Sequence, residues 1–354
     1  MKLNNAMIKK QYSAENRKHL MWILGFVLIC SVLFLVTLGF GVYKISLIDA
    51  ISVFFNSLLG NEVDSRDYEY VWNTRLPRAI GAVAVGAGLS IAGAIMQNDF
   101  KNPLAEPYTM GISSGAFLGA TLGIILNISV IPALSGSSGI VANAFIFSLI
   151  PIAIIVLISK FRKLSPMSMI LTGIAVMFLF SSVSQIIMVT APSESMADAY
   201  SWRVGSLDRV RWENLPVMVV STALFSTILY AFAGKLNVMY VGDKSVQTLG
   251  ENPTNIRIIT LVLASLLTAG LVSYTGTIGF IGLVGPHVAR IFVGSNNRYL
   301  IPASAAFGAA FILAADTIAK VSGANGLPVG VISAMIGGPL FIWILIQQRK
   351  NVWA

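Results

Sequence analysis

Residues 75–107 read RLPRAIGAVAVGAGLSIAGAIMQNDFKNPLAEP. Two arginines flank Leu76-Pro77, about twenty apolar or small residues follow, and a polar, proline-punctuated turn closes the stretch. An apolar run of this length spans a bilayer as a helix. Ala82, Gly86, Ser90 and Ala94 recur at every fourth position, as do Ala306, Ala310 and Ala314. Small residues at that spacing let helix backbones approach closely. The segment therefore reads as a helix packed against other helices in a compact bundle, with its charged entrance and polar exit left to partners.

The remainder of the chain agrees. Of 354 residues 56% are hydrophobic and 11% charged, where a soluble domain carries about 25% charged residues. The mean hydropathy is +0.78, and the apolar residues come in long blocks rather than the short stripes of a soluble core. An all-α, polytopic membrane protein is expected. Cys30 is the single cysteine, which rules out a disulfide framework and a cysteine metal site. His19 and His287 are the two histidines, too few for a metal centre built on several imidazoles in one chain. No metal and no cofactor are expected. The formal charge of +9 reads as topology rather than nucleic-acid binding, because Lys and Arg concentrate in cytoplasmic loops.

About ten spans are predicted, near 20–42, 75–97, 108–127, 139–159, 166–190, 214–234, 256–275, 279–294, 301–319 and 328–347. They form one transmembrane domain over 20–348, between cytoplasmic tails at 1–19 and 349–354. The first span lacks a cleavage site of signal-peptide type and reads as uncleaved. Threading with the N-terminus inside places about twice as many Lys and Arg on the cytoplasmic side as outside, so both termini are expected in the cytoplasm. Arg349 and Lys350 favour an even span count for the same reason. Residues 43–73 read as an external loop carrying a short interfacial helix, Leu47 to Leu59, and an acidic patch. A faint echo at an offset of 182 residues pairs Arg75 and Gly88-Leu89 with Arg257 and Gly270-Leu271, the kind of trace an internal repeat leaves.

Nothing reads as catalytic: there is no phosphate-binding Gly-rich loop with its lysine and no recognisable triad. If ATP is used, another chain hydrolyses it. Buried ionisable groups mark ion paths in membrane proteins, and carboxylates near mid-membrane are missing, which weighs against the competing class, an ion-coupled secondary transporter. Asp316 and Lys320, four apart on one helix, are placed to pair. His287 follows Gly285-Pro286 and reads as a hydrogen-bonded histidine at a helix break more readily than as a ligand. Arg75 and Arg78 are either interface anchors or a docking site for carboxylates, which arginine grips bidentately. The loop 235–256 is either a connector or a docking element for a cytoplasmic partner, with Asp243 capping a short helix that Gly250 ends.

The motifs RLPR, GAGLSIAGAIMQ, NPLAEP with Gly111 to Gly115, Trp202 with Gly205-Ser206-Leu207, Leu249-Gly250, GTIGFIGLVGPHVAR and LPVGVISAMIGGPLFIWIL occur in this order. They resemble the FecCD family of ABC importer permeases, the subunits that import iron-siderophores, haem and cobalamin. The resemblance runs from about residue 20 to the C-terminus. It implies a ten-helix permease in the cytoplasmic membrane that pairs with a second permease subunit, two cytoplasmic ATPase subunits and an external substrate-binding protein, in contact with lipid and not with nucleic acid. It also implies roles. Arg75, Arg78 and Lys320 would meet acidic groups of the binding protein, with Lys320 standing where the family has a third arginine. Lysine keeps that charge but loses the bidentate fork. Asn102 and Leu104 would form the cytoplasmic gate. Val246, Leu249, Gly250 and Glu251 would seat in the ATPase, and the fifth span with the segment after it would line the path. Iron-siderophore is the first expectation for cargo, with haem and cobalamin behind it.

Overall fold

The computed structural model describes residues 2–162, 164–323 and 326–348; the expected C-terminal tail, with Arg349 and Lys350, lies outside them. Fifteen α-helices occur among the described residues: α1 (Lys2–Gly39), α2 (Leu47–Leu59), α3 (Ser65–Tyr68), α4 (Leu76–Phe100), α5 (Ile112–Ile125), α6 (Gly136–Arg162), α7 (Pro166–Val189), α8 (Ser193–Val204), α9 (Leu215–Ala231), α10 (Ala233–Val241), α11 (Asp243–Thr248), α12 (Pro253–Thr275), α13 (Ile281–Val293), α14 (Asn297–Val321) and α15 (Val329–Gln348). Each of the ten predicted intervals holds a helix. Helix α1 runs from Lys2, so the expected N-terminal tail continues the first span as helix.

Local chemistry sets the boundaries. Ser46 Oγ accepts from Asp49 N at 3.1 Å to start α2, and Gly60, at φ 77, ends it. Ser165 and Asn252 cap α7 and α12, each followed by a proline in the first turn. Helix resumes at Ser65 rather than at Arg75, and α3, a π-helical stretch Glu69–Arg75 and α4 run on as one 36-residue span. Pro77 cannot donate a backbone N–H, and its ring crowds the preceding turn. That turn widens so that Leu76 N donates to Val71 O, five residues back. The second half of the expected external loop is therefore helical.

Among the described residues seven helices can cross a membrane by length and composition, or eight if α9 and α10, bent 52° apart at Phe232, count as one. The expected 108–127 and 279–294 spans are occupied by α5 and α13, of 14 and 13 residues. At 1.5 Å per residue these reach only about 20 Å, short of a hydrocarbon core about 30 Å thick. Hydropathy continues through the irregular backbone ahead of them, which is why sequence alone lengthens them.

Helix α4 is the axis of the bundle. In its most apolar window 83% of residues are buried, against 11% for α1. The small-residue stripe explains this. A Cβ on Gly86 would collide with the Gly308 carbonyl of α14, and one on Gly308 with that of Gly86. The facing stripe on α14 centres on Gly308; of the stripe read from sequence, Ala310 is buried while Ala306 and Ala314 are half-buried.

Candidate functional site

Helix α4 spans about 37 Å from Leu76 to Phe100 at 1.5 Å per residue, and the sequence-predicted residues fall into two groups at its two ends. At the Arg75 end, Arg75 is 4% exposed. Its Nη1 donates to Leu38 O at 2.7 Å and its Nη2 donates to Tyr43 O, so it ties the end of α1 and the following turn to the π-helical segment. Arg78 Nε and Nη2 lie 2.8 and 2.7 Å from Asp316 Oδ1, and Nη1 pairs with Asp208. Lys320 Nζ sits 3.0 Å from Asp316 Oδ2 and donates to Thr37 Oγ1 at 3.0 Å. Arg78 and Lys320 thus share one fully buried carboxylate, while Arg75 is satisfied by backbone carbonyls. Arg75, Arg78, Lys320, Asp208, Tyr43 and Tyr70 line a cavity of about 170 Å³ beside it.

Backbone contacts knit this end together. Ser206 N donates to Thr275 O at 2.8 Å and Gly330 N to Gly205 O at 3.1 Å. Gly205 and Gly276 have φ of 76 and 71, and a Cβ on either would strike the other's segment. Only glycine fits there, which is the physical content of the Gly205-Ser206-Leu207 and GTIGF motifs.

At the opposite end α4 stops at Lys101, φ 48. Asn102 N donates to Gln97 O at 3.2 Å, and Asn102 Oδ1 accepts from Leu104 N at 2.9 Å. This turn leaves Leu104 49% exposed. Beside it stands α11. Val246 anchors α11 at 2% exposure while Leu249, at its end, is 67% exposed. Gly250 turns the chain at φ 79, and Glu251 pairs with Lys235 at 2.6 Å. Asp243 does not cap α11 as expected. It occupies the first turn and directs its carboxylate to Arg257 at 3.1 Å and Lys101 at 3.3 Å. Partial burial alone would raise the Asp243 carboxyl; those two cations outweigh it and hold the group below its ordinary range.

Several residues here escaped sequence reading. Arg257, 2% exposed, donates from Nε to Asp99 O at 2.7 Å, and Thr260 Oγ1 donates to Asp99 Oδ2 at 2.7 Å. The one available signal was the echo of Arg75 in Arg257. Both are buried guanidiniums near the start of a core helix that bond backbone carbonyls of another. His287 is buried, with Nδ1 2.7 Å from Leu283 O and its ring edge-on to Phe341. Pro286 cannot donate to the Gly282 carbonyl, and Gln97 Nε2 from α4 takes that place at 3.5 Å. Gln97 Oε1 in turn accepts from Arg290 at 3.2 Å. The histidine is hydrogen-bonded as expected, but α13 runs unbroken through Pro286 and the expected helix break is not there.

Long apolar helices packed around one buried helix, with a side-chain cluster at each of its ends, define a polytopic helical membrane protein. The chain belongs to the FecCD transport family, whose model matches residues 29–347. It is the permease of a FecCD-type ABC importer and is not itself an ATPase, which removes the secondary-transporter alternative. It is 35% identical to the hemin transport system permease protein HmuU of Yersinia pestis over 93% of this chain and 96% of that one. It is 34% identical to the Fe(3+)-citrate import system permease protein YfmE of Bacillus subtilis, over 97% and 100%. A transporter assigned to the metal-chelate type and solved in an inward-facing conformation superposes with a TM-score of 0.81 at 28% identity, covering 92% of this chain and 98% of that one.

Proposed function

We propose that this permease carries ferric chelates of the siderophore type. The observation that supports this most directly is the near full-length similarity to a Fe(3+)-citrate permease, together with the likeness to a metal-chelate transporter. Haem is the second reading, favoured by the hemin permease. In the proposed arrangement the Arg75 end faces outward. Arg78 and Lys320 receive acidic groups of the binding protein, and Arg75 holds the surrounding turn in shape. Docking then requires Arg78 to exchange its exposed partner Asp208 for a carboxylate of the partner.

The Asn102–Leu104 turn is the cytoplasmic gate, and Val246, Leu249, Gly250 and Glu251 seat in the ATPase. Helix α1 finishes, and α15 begins, at the Arg75 end, which supports placing both termini in the cytoplasm. A second permease subunit completes the path, lined by α7 and α8.

The test is uptake in cells lacking the gene for this chain, complemented with the parent or with Arg78→Glu. Radiolabelled iron supplied as a ferric hydroxamate or as ferric citrate should enter with the parent and fail with Arg78→Glu. Uptake of labelled haem instead, with none of iron, would overturn the siderophore reading. Unimpaired iron uptake by Arg78→Glu would overturn the docking role.

A further inference from the structure

The ion pairs around Asp243 join two elements that the reading above gives to different tasks. Asp243 lies in the first turn of α11, the helix assigned to the ATPase. One of its cations, Lys101, directly precedes Asn102 of the gate turn, and its backbone is held in the left-handed region at φ 48, which side chains other than glycine rarely adopt. The other cation, Arg257, is buried and rooted on the last turn of α4. Its Nε bonds the Asp99 carbonyl at 2.7 Å while its Nη2 reaches both Asp243 oxygens at 3.1 and 3.2 Å. A positive charge is favourable at the carboxyl end of a helix, so Arg257 has two reasons to stay. Asp243 is thus the point at which α11 is fastened to the end of α4 from both sides.

We propose that Asp243 is a positioning residue that transmits displacement of α11 to the Asn102–Leu104 turn through Lys101 and Arg257. The proposal rests on the assignment of α11 to ATPase contact and of that turn to the gate. Arg257 stays with α4 because its other partner is a backbone carbonyl. A shift of α11 therefore has two outcomes. Either Asp243 drags Lys101 with it, or it releases Lys101 and removes a contact that helps hold an unfavourable backbone conformation. In both, the turn carrying Leu104 changes its position.

The experiment uses the full chain in complex with its ATPase in lipid nanodiscs, with Cys30→Ser and Leu104→Cys as background. The rate of labelling at position 104 by a charged maleimide is measured with and without ATP plus vanadate, and ATP turnover is measured in parallel. The background protein should show a nucleotide-dependent change in labelling. Asp243→Asn and Lys101→Gln should each reduce that change, normalised to ATP turnover, by about tenfold, within the ordinary range of coupling between sites. Lys101→Arg should retain it. Lys101→Gln removes a half-exposed cation and leaves Asp243 paired with Arg257, so it keeps the question answerable if Asp243→Asn folds poorly. A full nucleotide response in Lys101→Gln, or in a folded Asp243→Asn, would overturn the proposal alone. A background protein whose labelling ignores nucleotide would overturn the gate assignment and the proposal with it.

Discussion

Replacing Asp316 by alanine should be the most damaging single change at the Arg75 end. Its carboxylate is fully buried, with Arg78 Nε and Nη2 on one oxygen and Lys320 Nζ at 3.0 Å from the other. Alanine leaves two cations in a desolvated site, of which Arg78 retains Asp208 and Lys320 retains only a hydroxyl, Thr37. Removing one side of a buried ion pair costs about 3–5 kcal/mol. At an unfolding entropy of about 2.1 cal/mol/K per residue, a chain of this length loses about 1.4 °C of Tm per kcal/mol, so the expected drop is about 4–7 °C. Lys320→Met removes a cation instead, keeps a side chain of similar shape and leaves the Arg78 fork on Asp316 intact; its cost should stay near 1 kcal/mol, about 1–2 °C. The assay is thermal unfolding of the full chain in detergent, followed by intrinsic fluorescence. If Asp316→Ala fell within about 1 °C of the parent, or if Lys320→Met matched it, the carboxylate would not be the keystone of the cluster.

Gly86→Ala should cost about 1–3 kcal/mol in the same assay, because α4 and α14 must separate to admit a methyl group. Gly234→Ala in α10, where the new Cβ meets nothing within 4 Å, should be neutral or stabilising by up to about 1 kcal/mol. Burial pushes Glu106 from 4.5 to about 7. Between those values the folded protein holds a proton that the unfolded chain releases, so stability should fall as pH rises through that window and level off above it. Glu106→Gln should remove this loss, which Tm measured at pH 5 and pH 8 reads directly. Leu249→Asp should leave the stability within about 0.5 kcal/mol of the parent, as for an exposed site, yet abolish co-purification with the ATPase; retained co-purification would count against the seat assigned to α11.

Much of the fold was legible because hydropathy and caps are local. Helix α2 begins and ends at the expected residues, since Ser46 and Gly60 sit beside the helix they bound. The crossing of α4 on α14 was half legible: Gly86 lies in the stripe read from sequence, but the facing residue is Gly308, and nothing in one sequence states which face of α14 turns inward. The cluster on Asp316 was partly legible, because Asp316 and Lys320 are four apart on one helix. Arg78 and Asp208 are separated by 130 residues, and only tertiary structure pairs them. The anchoring of Arg75 and Arg257 was illegible for a different reason. Their acceptors include backbone carbonyls, which every residue possesses, so the sequence carries no mark of them. The interval predicted as 279–294 holds Ile281–Val293, two residues shorter at one end and one at the other, because apolar composition does not mark where the irregular backbone before α13 ends.

The burial of α4 has a consequence for how the protein is made. Helix α4 is synthesised early, yet α12, α13 and α14, which enclose much of it, follow at residues 253, 281 and 297. At about 5–20 residues per second, some 10–40 s separate the end of α4 from the start of α14. Through that interval a helix shaped for protein neighbours has lipid or the insertion machinery against its glycine stripe. A chain broken off before α14 would leave that stripe uncovered, so the nascent permease is most exposed to membrane quality control between the synthesis of α4 and that of α14.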